Sequence, residues 1–389
     1  MNIFSLPTLF SSPMFVSPMF ASSKTSPKPM LVSPDTSPTL ILKLITFLLF
    51  FLSFFKTIAQ DFNEKEVEFW NLSHSFRLRG TLTTPKSGKN YPVAILISGS
   101  GQTDRDETIG KLKIFKTLAE YLSSNGVAVL RYDDRGGFKS EGPSTAKSTS
   151  LDLAQDVEAA VTFLKKSEKF NQIGLIGHSE GGGIAPVVAS KMKEIKFLVA
   201  LAGPGLSGKD VLVRQNKEIF MKSGVPEAHV DNYLNDFFLP ALSLISENKD
   251  STDKASELKS LGESYRKKHQ GENFVLSMNT SEKNIPVFMN QLGSIWFQSF
   301  LKFDPIKYWK NTKCRTLALN GSVDVQVDAK TNIGAISALN KSNITTLVLP
   351  GLNHLFQEAK NGNVTEYASL NGTISDLTLS IVKNFILEK

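Results

Sequence analysis

A single cysteine in 389 residues, Cys314, excludes an internal disulfide and any thiolate metal cluster. It precedes the apolar run Thr316-Leu317-Ala318-Leu319, where a thiol packs as a small apolar group rather than serving as a nucleophile. Histidine is scarce as well. The five, at 74, 178, 229, 269 and 354, form neither an H-x-x-x-H pair nor an H-E-x-x-H helix, so no metal and no other cofactor is expected. A large excess of one charge is also missing: the formal net charge is +7, and four of the lysines (24, 28, 43 and 56) lie in the first 59 residues. Lys165-Lys166 and Arg266-Lys267-Lys268 read as solvated helix faces, and no basic run is interleaved with aromatics, so a nucleic-acid partner is not expected.

Long apolar runs are missing too. The most apolar stretch, Leu44 to Phe55, has twelve uncharged residues, whereas a membrane-spanning helix needs about 20. A secretory signal needs an apolar stretch of only about 7 to 15 residues, followed by small residues at the cleavage site. Thr57 and Ala59 meet that requirement, so residues 41–59 are expected to be a signal peptide cleaved after Ala59, with an uncleaved membrane anchor as the alternative. Either places the protein outside the cytoplasm. Of residues 1–40, sixteen are Ser or Pro with no helical or alternating period, the composition of a disordered segment. So long a stretch ahead of a signal is unusual. A start codon assigned too early, with Met30 or a non-Met start as the real one, would account for it.

With 41% of its residues hydrophobic, the chain can bury a full core from residue 60 to 389. Short β-branched runs alternate with amphipathic stretches. Strands are predicted at 66–70, 76–83, 91–98, 127–132, 173–177, 197–202, 315–319 and 345–349, and helices at 113–123, 151–165, 182–193 and 375–387. Strands that are apolar throughout, set between helices, imply a mostly parallel eight-stranded sheet with helices on both faces. The rhythm breaks from about 210 to 312, where polar, helix-like sequence is best read as a helical cap over the strand ends.

The strongest chemical signal is Gly177-His178-Ser179-Glu180-Gly181, a G-x-S-x-G element between an apolar strand and a helix. A nucleophile on such a sharp turn needs small neighbours so that the chain can bend, and the helix N-terminus favours developing negative charge. Ser179 is therefore the candidate nucleophile. Its partners should follow in the order acid, then histidine, just past the carboxyl ends of later strands. Asp324 follows the strand ending near Asn320, and His354 follows the strand ending at Leu349, which makes them the orienting acid and the general base. The oxyanion requires two fixed N–H donors. One is the amide of Glu180; the other comes from the loop Ser98-Gly99-Ser100-Gly101, where Ser100 is preferred and Gly101 is next.

Further pieces are Asp104-Arg105-Asp106-Glu107 and Arg131-Tyr132-Asp133-Asp134-Arg135-Gly136. With the serine motif, Asp324 and His354, these make the sequence resemble the α/β-hydrolase superfamily, and within it the serine aminopeptidase-like and dienelactone hydrolase-like esterases. The resemblance spans about 67–388 and is loose in the cap. It departs from the usual pattern in two places: Ser98-Gly99 stands where the oxyanion loop usually has His-Gly, and Phe138 replaces the second Gly of D-x-R-G-x-G-x-S. Asp133 and Arg135 are expected to pair with each other structurally.

The resemblance implies a carboxylic ester hydrolase acting on small or medium acyl esters. A serine aminopeptidase acting on short peptides is the alternative, with Glu218, Asp231 and Asp236 in the cap as candidates for holding a free amine. A non-catalytic binding protein of the same fold is the third reading, and loss of a triad member would mark it.

Overall fold

The computed structural model describes residues 61–389 apart from 168–169, 248–250, 274–275, 277–279, 371–372 and 389. The Ser/Pro-rich segment 1–40 and the expected signal at 41–59 lie outside the described residues.

Eight strands form one sheet: β1 (Phe62–Trp70), β2 (Arg77–Pro85), β3 (Tyr91–Ile97), β4 (Ala128–Tyr132), β5 (Phe170–His178), β6 (Ile195–Leu201), β7 (Arg315–Gly321) and β8 (Ile344–Leu349). Their spatial order is β1-β2-β4-β3-β5-β6-β7-β8. The ladder is parallel from β4 through β3 to β8, while β2 runs antiparallel to both β1 and β4. Val93–Ile97, Ile173, Leu175, Ile176 and Phe197–Leu201 are buried, as strands covered on both faces must be.

One face is covered by α2 (Ser150–Lys165), α3 (Glu180–Lys191) and α11 (Ala329–Ser337), the other by α1 (Ile114–Ser124) and α12 (Asp376–Leu387). The α1 helix presents Phe115, Leu118, Ala119 and Leu122 to the core at helical spacing. Thr149 caps α2 through a reciprocal capping box with Asp152. The β1 strand begins four residues before the predicted Glu66. Its burial reads only Phe62 and Phe69 inward, so Asn63–Glu66 carry no apolar alternation and are held by backbone pairing to β2.

Between β6 and β7 the chain is helical: α4 (Gly208–Lys222), α5 (Glu227–Tyr233), a π turn at Leu234–Phe238, α6 (Leu239–Ser246), α7 (Ser251–Lys268), α8 (Ile285–Leu292), α9 (Ile295–Lys302) and α10 (Ile306–Asn311). These helices enclose a core of their own, built on Phe220, Tyr233, Phe237, Tyr265 and Phe288. Among the described residues no helix is long and apolar enough to cross a membrane.

In the loop after β4, Asp133 and Arg135 do not pair with each other as expected. Asp133 takes a bidentate contact from Arg105, at 3.1 and 2.7 Å, while Arg135 reaches Asp156 on α2 at 2.6 and 2.8 Å. Residues two apart in this turn point to opposite sides, and each finds its counter-charge on a different element. Phe138 adopts φ 53°, the left-handed conformation a glycine takes without cost, and is 57% exposed.

Candidate active site

Adjacent strands β3 and β5 send the chain to opposite sides of the sheet, and the loops leaving their carboxyl ends meet at this switch point. Ser179 leaves β5 with φ 53° and ψ −122°, strain of roughly 1–3 kcal/mol that the fold must hold. The bend depends on glycine. A Cβ at Gly177 would lie 2.1 Å from the Gly181 carbonyl oxygen, and one at Gly181 would lie 2.1 Å from that of Ile97. Glu180 is the first residue of α3, so its N–H has no acceptor within the helix.

Asp324 and His354 are brought together as expected. Both are buried, on the loops after β7 and β8, with His354 Nδ1 2.8 Å from Asp324 Oδ2. The other carboxylate oxygen of Asp324 accepts the backbone N–H groups of Gln326 and Val327, at 2.8 and 2.9 Å. The tautomer follows: Nδ1–H donates to the carboxylate and Nε2 keeps its lone pair. The Ser179 hydroxyl and the His354 ring are not hydrogen-bonded to each other, an openness common in hydrolases without substrate.

Ser100, Ser179 and Glu180 line one small cavity of about 30 Å³, closed by Pro204, Val211, Leu212, Trp296, Phe300 and Val327. The side chain of Glu180, for which only the amide was expected to matter, is buried and takes hydrogen bonds from two groups. Ser150 Oγ donates at 2.6 Å, and the Trp296 indole N–H spans both oxygens at 3.1 and 2.9 Å. Burial pushes this carboxyl above the usual range, against the hydrogen bonds it accepts. Trp296 thereby ties α9 of the cap to the residue after Ser179.

The loop after β3 is tied to carboxylates: Ser98 donates its hydroxyl to Asp134 at 2.6 Å, and Gly99 donates its N–H to Glu107 at 2.9 Å. Gly99 lies directly against Ser179, since a Cβ placed on it would be 3.2 Å from Ser179 Cβ. Its N–H is spent on Glu107. Asp134 also accepts the Thr103 N–H at 2.7 Å; burial pushes its carboxyl up to about 8, against both donations.

The remainder of Asp104-Arg105-Asp106-Glu107 anchors the same loop. Asp104 accepts from Thr108, Arg105 binds Asp133 and Glu66, and Asp106 takes Arg131 at 3.0 Å. Glu107 also contacts His178 Nδ1 at 2.9 Å. The signal for these residues was the dense charge of the motif itself. What each charge meets lies too far along the chain to be read.

Three comparisons bear on this geometry. A family model described as serine aminopeptidase, S33, matches residues 109–273, a span that includes Ser179 but neither Asp324 nor His354. Esterase EstD of Thermotoga maritima is 28% identical over 76% of this chain. An acyl transferase of Shewanella woodyi is 28% identical over 41%. The chain spans 60% and 50% of the length of these two relatives. Among solved structures, an esterase of Pyrococcus furiosus superposes with a TM-score of 0.51 at 17% identity, covering 84% of this chain and 90% of its own. Strand order, elbow and the structural likeness together give the chain the α/β-hydrolase fold.

Proposed function

We propose that the protein is a serine hydrolase that cleaves carboxylic esters of small acyl groups through Ser179, His354 and Asp324. The observation that carries this reading is the 2.8 Å contact between His354 Nδ1 and Asp324, beside a serine held on a left-handed elbow. It fixes the imidazole with Nε2 as the base. His354 then takes the Ser179 proton as Oγ attacks the acyl carbon, and returns it to the leaving alcohol. Water, activated by the same ring, cleaves the acyl-enzyme. The amides of Glu180 and Ser100 are the proposed oxyanion donors.

The cavity beside Ser179 is small and walled by Val211, Leu212, Phe300 and Val327, which favours short acyl groups. The name of the Thermotoga relative, an esterase, points the same way. The three cap acids considered for the aminopeptidase reading do not offer it a free carboxylate at the cavity. Asp231 is bound to Lys217, Asp236 is bound to Lys268 and His269, and neither they nor Glu218 line the cavity. Export belongs to the proposal: cleavage after Ala59 leaves Gln60 as the first residue of an extracytoplasmic enzyme.

The test is turnover of the purified protein on short-chain nitrophenyl esters and on aminoacyl amides, alongside Ser179→Ala. Ester turnover and fluorophosphonate labelling should both vanish in the variant while its thermal melt is retained. Residual turnover near that of the unaltered protein overturns Ser179 as nucleophile; amide turnover that requires a free amine favours the peptidase.

A further inference from the structure

The residue before the nucleophile, His178, is 2% exposed and has an acceptor at each ring nitrogen. Nδ1 lies 2.9 Å from Glu107 Oε1, and Nε2 lies 3.0 Å from the backbone carbonyl oxygen of His354. We propose that His178 is held as an imidazolium by Glu107, and that this pair positions the His354 loop and the oxyanion loop on either side of Ser179. The role in turnover rests on the triad reading above.

A carbonyl oxygen carries no proton, so Nε2 must donate. That leaves one proton to be shared between Nδ1 and Oε1. Oε1 also accepts the Gly99 N–H at 2.9 Å, so it already serves as an acceptor. A carboxyl's ordinary pKa, about 4.3, lies below imidazole's of about 6.5, so the shared proton belongs to the ring. A buried carboxylate left without a counter-charge would be costly, and the imidazolium supplies one.

The charged groups facing His178 act in the same sense. Burial alone would lower its pKa, but the charge and hydrogen bond of Glu107, the His354 carbonyl and the charge of Asp324 outweigh it, and the net direction is upward. The rings of His178 and His354 are 4.9 Å apart between centroids. A single carboxylate, Glu107, therefore reaches the base loop through His178 and the oxyanion loop through Gly99. Residues 99 and 107 on the loop after β3, 178 at the end of β5 and 354 after β8 belong to three segments that meet only in the fold. His178 and Glu107 do not face the cavity, so they act through their neighbours as positioning residues.

The closing experiment has two arms. Nitrogen NMR of the histidines is recorded near neutral pH in the full-length Ser179→Ala protein, which needs no turnover. Resonances are assigned with Glu107→Gln, and with His269→Asn because His269 also faces two carboxylates. The expected result is a His178 ring protonated on both nitrogens, reverting to one proton in Glu107→Gln. A singly protonated ring in the Glu107 parent overturns the proposal, whatever the status of Ser179 as nucleophile. In the second arm, with Ser179 intact, Glu107→Gln should lower kcat on a short-chain ester by about 100-fold with KM nearly unchanged, the scale of a misplaced catalytic group. Glu107→Asp should recover part of that loss. Unchanged kcat in a folded Glu107→Gln protein overturns the positioning role.

Discussion

At the residue scale, the site depends on a few side chains whose partners fix them. Asp324 spends one oxygen on two backbone N–H groups and the other on His354, so its amide isostere cannot serve both sides. Asp324→Asn keeps the loop but offers an N–H to Nδ1, which favours the tautomer with Nε2 protonated. Steady-state kinetics should show kcat reduced by about 10⁴-fold with the melt little changed; a loss below about tenfold would mean that another acid orients the ring. The elbow at Ser179 and the meeting of Asp324 with His354 were legible in the sequence because each signal is local: a motif of five residues, and two loops that directly follow apolar strands. Glu107, Asp134 and the side chain of Glu180 were not. The partners of Glu107 and Asp134 include residues 71 and 36 positions away, and nothing in a sequence window states such a meeting. The expected Asp133–Arg135 pair failed for the same reason, since proximity along the chain was read as proximity in space.

At the scale of elements, the helical cap was legible as a break in rhythm, and its stretch from about 210 to 312 is helical in the structure. Its contribution to the pocket was not legible. The apolar patch Ile295-Trp296-Phe297 gives no hint that the indole N–H turns inward to the carboxyl of Glu180, next to Ser179, while the ring lines the cavity. Trp296→Ala should remove both the wall and the tie. The ratio of kcat/KM for a hexanoyl over an acetyl nitrophenyl ester should rise about tenfold or more, on the scale of added methylenes admitted to an apolar pocket. An unchanged ratio would place the length limit elsewhere. The early start of β1 has a similar cause: a charged edge strand held by backbone pairing carries no hydrophobic period to read.

For the whole molecule, the burial of acids sets how stability responds to pH. Asp134 is pushed up to about 8, and Asp156 and Glu180 are shifted in the same direction by burial. Between their ordinary values and their raised ones, the folded chain binds protons that the unfolded chain has released. The slope of stability against pH is therefore negative across that interval. His178 adds to it, because a base with a raised pKa loses its stabilising proton as pH rises through that value. Thermal melts should fall from about pH 5 to about pH 8, and Asp134→Asn should flatten part of that decline. A melt that rises over the same range would contradict the buried-acid account.

The tie between Trp296 and Glu180 also makes the cap optically visible. The chain has three tryptophans, of which Trp70 is 43% exposed and Trp309 is fully enclosed, its N–H given to the Pro204 carbonyl. Neither touches the cavity, so a change in indole emission when an acyl group enters reports on Trp296, and the protein carries its own fluorophore for the arrival of substrate.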